Sequence, residues 1–89
     1  MQQETRENRI KRLRMRSMRR GIKEMDLILD AYAVRNLAGM APEGLDRYEA
    51  LLDENDHDIY AWVSGQSRPP DALVPLIDDI VRQLPDPAG

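Results

Sequence analysis

An all-α fold, a compact bundle of five short helices, is the architecture this sequence predicts. Three observations carry that reading. Apolar residues recur at spacings of three and four in five separate segments, the spacing that gathers side chains on one helical face. No β-branched run alternates with polar residues, so nothing reads as a strand. Glycine and proline punctuate the intervals between segments, and the connections they leave are short. Within 89 residues these helices amount to a single domain with a limited core, ordered over about 6–84 with frayed ends.

The first helix covers about 6–18. Ile10, Leu13 and Ser17 or Met18 form one narrow apolar stripe, and Arg9, Lys11, Arg12, Arg14 and Arg16 cover most of the remaining circumference. The second, about 23–38, carries Met25, Ile28, Leu29, Tyr32, Ala33 and Leu37, the most apolar face of the early chain, and is therefore the central helix. Gly39 ends it. Pro42 opens the third helix, about 42–53, at a first-turn position where its missing N–H costs nothing, and Leu45, Tyr48, Leu51 and Leu52 are its inner face.

Asp56 reads as the N-cap of a short fourth helix, with Asp58 favourable in its first turn and Gly65 as its stop. Ile59, Trp62 and Val63 face inward there, and Trp62 is expected to be largely buried against the fifth helix. Ser67-Arg68-Pro69-Pro70 is a stiff connector. Asp71 then reads as a cap, and Leu73, Leu76, Ile77, Ile80, Val81 and Leu84 form the cleanest amphipathic stripe in the chain. Pro75 lies early enough to bend the first turn or shift the start without abolishing the helix, and Pro85 and Pro87 finish it.

Composition removes several classes of function. With no cysteine, a disulfide framework, a thiolate zinc site and cysteine catalysis are excluded, and a reducing compartment fits. No apolar run approaches the roughly 18 residues of a membrane span, and no signal-peptide core is present. The Arg-rich start resembles a transit peptide in composition, but Glu4 and Glu7 argue against one. The acidic turn Asp53-Glu54-Asn55-Asp56-His57-Asp58 lacks the glycine and distal glutamate of a calcium loop, and one histidine among carboxylates is a poor zinc site, so no metal is expected. No phosphate-cradling glycine loop occurs and no nucleophile stands beside a histidine; no catalytic residue is assigned and an enzyme is not expected.

Charge is lopsided. Residues 1–24 hold nine Arg and Lys against three Glu, and residues 25–89 hold four Arg against thirteen Asp and Glu. A basic edge on an acidic body fits nucleic acid, an anionic surface or an acidic partner protein; it fits equally a first helix lying against the chain's own acidic remainder. The handover falls at Arg19-Arg20-Gly21-Ile22-Lys23-Glu24. Arginines complement the C-terminal end of one helix dipole, while Glu24 and Asp26 complement the N-terminal end of the next. Gly21 between them suits the left-handed conformation that ends a helix.

The run from Arg16 to Asp26 resembles the Arg-Gly-x-x-Glu signature of the small succinate dehydrogenase assembly factors, the family of succinate dehydrogenase assembly factor 2 and the bacterial flavinylation factors. A second stretch agrees: Leu51-Leu52, the turn Asp56-His57-Asp58, then Ile59-Tyr60-Ala61-Trp62-Val63, although the family often has proline where His57 stands. The resemblance covers about residues 9–84. It implies a helical, non-enzymatic, chaperone-like factor, monomeric and bacterial cytoplasmic. Such a factor binds the flavoprotein subunit of succinate dehydrogenase or a fumarate reductase relative and promotes covalent attachment of FAD. The FAD belongs to that subunit, where its 8α-methyl carbon is linked to a histidine, and none is held stably by the factor. Carried onto this chain, Arg20, Gly21 and Glu24, with Asp26 just beyond the signature, are the partner-contacting surface; Arg16 and Arg19 join by proximity. The competing reading is a nucleic-acid-binding or antitoxin-like module using the basic first helix.

Overall fold

A computed structural model describes residues 4–84, and five α-helices form among these described residues. They are α1 (Arg6–Met18), α2 (Lys23–Asn36), α3 (Pro42–Leu52), α4 (Asp56–Val63) and α5 (Val74–Arg82). Single 3₁₀ turns, Leu37–Gly39 and Asp71–Leu73, follow α2 and precede α5. No strand occurs among the described residues. Helix α2 is central, as its apolar face predicts: it packs along α1 and against α4. α5 closes the other side against α4, and α3 crosses to α1 and to the turn before α5.

The local chemistry explains the boundaries. Thr5 caps α1, its hydroxyl accepting from the Asn8 N–H at 3.1 Å. Glu4 pairs with Arg12, so residues 4 and 5 are tied down where fraying was expected, while residues 1–3 and 85–89 lie outside the described residues. Pro75 does shift the start of α5. The chain first makes the 3₁₀ turn from Asp71, closed by the Leu73 N–H on the Pro70 carbonyl, and α5 begins with Pro75 inside its first turn. Asp71 supplies no side-chain cap there. Gly65 ends α4 with φ +81°; its own N–H reaches the Trp62 carbonyl and the Gln66 N–H reaches Ala61, the two bonds of a Schellman motif.

The apolar stripes converge on one core. Leu13, Met25, Leu29, Leu37, Tyr48, Leu51 and Ile59 are fully buried, joined by Leu45, Leu52, Ile77 and Ile80. Of the two candidates at the end of α1, Ser17 turns inward and Met18 is half exposed. Val81, expected on the inner stripe of α5, is instead substantially exposed. Trp62 is only partly buried at the edge of the core, because Ile59 and Val63 take the inner face of an eight-residue helix.

Ser17 and Tyr48 solve the problem of polar atoms in this core. Their hydroxyls lie 2.6 Å apart, the Ser17 Oγ is 2.8 Å from the Leu13 carbonyl, and the Tyr48 Oη is 3.2 Å from that of Leu29. The two hydroxyl protons can fill two of these three contacts at once, and together the contacts span α1, α2 and α3. Burial pushes the Tyr48 phenol up to about 12. Its ring stacks on Tyr32 with centroids 5.9 Å apart. The Tyr32 hydroxyl in turn donates to Asp79 at 2.6 Å, and Asn36 and Gln83 exchange amide hydrogen bonds beside it, which fastens α2 to α5.

Tyr48→Phe is expected to keep the fold but lose roughly 1–2 kcal/mol in urea unfolding, the cost of stranding a buried hydroxyl partner; an unchanged midpoint would show the hydroxyl pair to be idle. Acid should act through the bonded carboxylates. Tyr32 holds Asp79 below its ordinary value, and Arg12 does so for Glu49. A carboxyl depressed in the folded state stabilises it above the unfolded pKa, near 4, and that stability is lost as pH falls through the folded value. The thermal midpoint is therefore expected to stay level from pH 7 to about 5 and drop below about pH 4. A midpoint that held level into the stronger acid would contradict this.

Candidate functional site

α1 stops at Met18 and α2 begins at Lys23, so four residues must turn the chain through a corner. No side chain at Ile22 caps α2. Asp26, in the first turn of α2, reaches back instead and accepts the Arg20 backbone N–H at 2.5 Å. A carboxylate there also complements the positive end of the helix dipole.

The rest of the closure comes from a residue distant in sequence. Asp56 opens α4 and grips the corner with both oxygens. Oδ1 accepts from Arg20 Nε at 2.5 Å, and Oδ2 accepts from the Gly21 N–H at 2.5 Å. The remaining donors of Arg20 go to main-chain carbonyls just upstream: Nη1 to Leu52 at 2.8 Å, Nη2 to Glu54 at 2.9 Å. One guanidinium thereby joins the end of α3, the start of α4 and the corner. Its side chain is 9% exposed and that of Asp56 18%, so these charges are partly desolvated and their bonds count for more than those of a surface pair.

Two local readings are corrected here. The N-cap of α4 is Asn55, whose side chain accepts the His57 N–H at 2.8 Å. Asn and Asp cap about equally well, and with Asn55 in that place the Asp56 carboxylate is released for the corner. Gly21, second, does not adopt a positive φ; among the described glycines Gly65 does. What favours glycine at 21 is space. A Cβ would stand 3.1 Å from Asp56 Oδ2, tight enough to push on the clamp.

The other expected site residues divide into held and presented. Arg16 pairs with Asp53 at 2.7 Å. Arg19, Lys23 and Glu24 are exposed at the tip. The Glu24 carboxylate lies against the Tyr60 hydroxyl, and that contact raises the phenol's pKa, through hydrogen bonding first and charge second. Tyr60, partly buried on α4, was not read as a site residue, nor was Asp56 in this role; only their position in the second shared stretch pointed toward them.

The lopsided charge resolves within the molecule. Along one stripe of α1, Arg9 bonds Asp46 and Glu49, Arg12 bonds Glu4 and Glu49, and Arg16 bonds Asp53. Arg6 extends the stripe by donating to the Ala38 and Met40 carbonyls, and Arg20 completes it on Asp56. The basic helix lies against the acidic α3, which removes the main argument for a nucleic-acid module. Among the described residues no three metal-ligating side chains converge, and no helix is long and apolar enough to cross a membrane.

Comparison with known proteins adds a family. The family described as flavinator of succinate dehydrogenase matches residues 11–84. Among curated relatives, succinate dehydrogenase assembly factor 2, mitochondrial, of Candida glabrata is 51% identical over 53 residues, covering 60% of this chain and 35% of that protein. The protein of the same name from Meyerozyma guilliermondii is 46% identical over 61 residues, 68% of this chain and 45% of its own. That of Kluyveromyces lactis is 43% identical over 78 residues, 82% of this chain and 45% of its own. The chain thus spans less than half the length of these relatives. Their names overturn the expectation of a bacterial cytoplasmic protein, because each is a mitochondrial protein of a yeast.

Arg20→Ala and Asp56→Ala are each expected to cost roughly 2–4 kcal/mol, since either leaves a partly buried partner unpaired. The double variant should lose much less than the sum, because the two share one contact. Strictly additive losses in urea unfolding would mean that the residues act independently.

Proposed function

The chain belongs to the flavinator of succinate dehydrogenase family, and from that premise we propose that it is an assembly factor that binds the flavoprotein subunit of succinate dehydrogenase, or of a fumarate reductase relative, and promotes covalent attachment of FAD to it. The observation that carries this reading is the interlocked corner. Arg20 is bonded to Asp26 and to Asp56, and Gly21 to Asp56, before any partner arrives. A surface ordered in advance loses less conformational entropy on binding than a loose loop would. Glu24, Arg19 and Lys23 are then the groups available to meet the partner, with charge-assisted hydrogen bonds as the means. Arg20 and Asp26 serve from behind by holding the tip in shape.

The chemistry proposed is conformational. FAD and the histidine that it modifies both belong to the flavoprotein. The factor favours the state of that subunit in which the 8α-methyl carbon and the imidazole are aligned, and so raises the effective concentration of one at the other. No residue of the factor forms a covalent bond, and the factor holds no flavin of its own between cycles.

The test is complementation. In cells lacking their own factor, the wild-type chain is expected to restore covalent flavin fluorescence on the flavoprotein subunit. Glu24→Ala and the double variant Arg19→Glu/Lys23→Glu, all at exposed positions, should remain folded and restore much less. Gly21→Arg is a harsher probe, because its side chain must displace Asp56, and it should lose both stability and flavinylation. Full flavinylation by a folded Glu24→Ala together with the Arg19/Lys23 double variant would reduce the corner to a helix turn.

A further inference from the structure

Helix α2 carries more than the corner at its first turn. Glu24, Leu27, Ala31 and Arg35 follow one another at spacings of three and four, with Ile28 beside Leu27, and so form a continuous stripe of about 16 Å along the helix. Leu27 is 64% exposed, the highest value among the large apolar residues on the described surface. The stripe does not end on open solvent. Leu27, Ile28, Ala31 and Arg35 form one wall of a crevice of about 160 Å³, whose other wall is Ile80, Gln83 and Leu84 at the end of α5, with Tyr32 at its base. Val34 and Val81, both substantially exposed, lie beside it on the same two helices.

The charge at this crevice is sparse and of one sign. The chain holds 16 carboxylate side chains against 13 cations, yet no carboxylate lines the crevice, and its charged group is the guanidinium of Arg35. Most other arginines of the described residues pair with Asp or Glu; Arg35 has no ion pair there. An apolar slot with one unpaired cation at its rim is complementary to an aliphatic or aromatic anchor followed by a carboxylate.

We propose that the partner-binding surface runs from the corner along α2, and that the α2/α5 crevice receives an apolar side chain of the flavoprotein whose neighbouring carboxylate pairs with Arg35. This rests on the function proposed above and adds to it a second contact. The occupant is a segment of the same partner, because the stripe that includes Glu24 leads to the crevice without a break. Two contacts some 16 Å apart fix an orientation that one corner alone would leave free to pivot.

The experiment measures binding of purified flavoprotein subunit to the full chain and to Leu27→Asp, Arg35→Glu and the pair together. These positions are at the surface, so unfolding midpoints should match wild type. Each single variant is expected to weaken binding by roughly fivefold or more, with Arg35→Glu also reducing the dependence on salt. Sedimentation of the free proteins accompanies it. If wild type binds and the variants bind as well as it does, the crevice contact is refuted while the corner stands. If wild type does not bind at all, the functional reading itself fails. If wild type is a dimer that Leu27→Asp makes monomeric, a second copy fills the crevice and the proposal is overturned.

Discussion

Two hydrogen bonds to one carboxylate hold this molecule's central feature in place. Asp56 stands 35 and 36 residues from the groups it grips, so the corner between α1 and α2 exists in its present form only once α4 has packed. The bundle and the corner are therefore coupled. Arg20 makes the coupling tighter, since its remaining N–H groups satisfy carbonyls at and just beyond the end of α3, groups that a helix terminus otherwise leaves to water. A small helical protein has a limited core with which to define an exposed loop. This one uses a partly desolvated ion pair for that purpose, where the same pair on an open surface would be worth little.

The same logic extends down α1. The arginine stripe could be read as an offer to a polyanion, but the pairs to Asp46, Glu49 and Asp53 show what it faces in the folded chain. Individually such pairs contribute about 0–1 kcal/mol. Their collective effect is one of register: they set which turn of α1 lies against which turn of α3, and so deliver Arg20 to Asp56. Leu13 and the Ser17–Tyr48 hydroxyl pair provide the buried anchor beneath them. Electrostatics aligns the helix, and burial keeps it there.

How much of this could be read in advance depends on the kind of signal. All five helices follow from apolar spacing, because one-face burial leaves its period in the sequence, and Leu29, Tyr48 and Ile77 are where that period puts them. Gly21 was assigned to the right place for the wrong reason. Glycine serves both a left-handed backbone and a close approach, and only the position of Asp56 Oδ2 distinguishes them. Asp56 was read as the cap where Asn55 serves, since two residues able to cap stand side by side and the sequence does not say which one is spare. Trp62 shows the limit of a stripe on a short helix: two turns of α4 cannot bury three large residues equally. The crevice at Arg35 was invisible for a further reason, as it requires the distance between α2 and α5.

The most direct measurement of the central claim, that the corner is locked in the free protein, is hydrogen exchange at two backbone amides. The Arg20 N–H is bonded to Asp26 and the Gly21 N–H to Asp56. Both should exchange slowly, in step with amides inside α2, and Asp56→Ala should release Gly21 while leaving α2 protected. Exchange of both amides at the rate of an open loop in the wild-type protein would contradict the account.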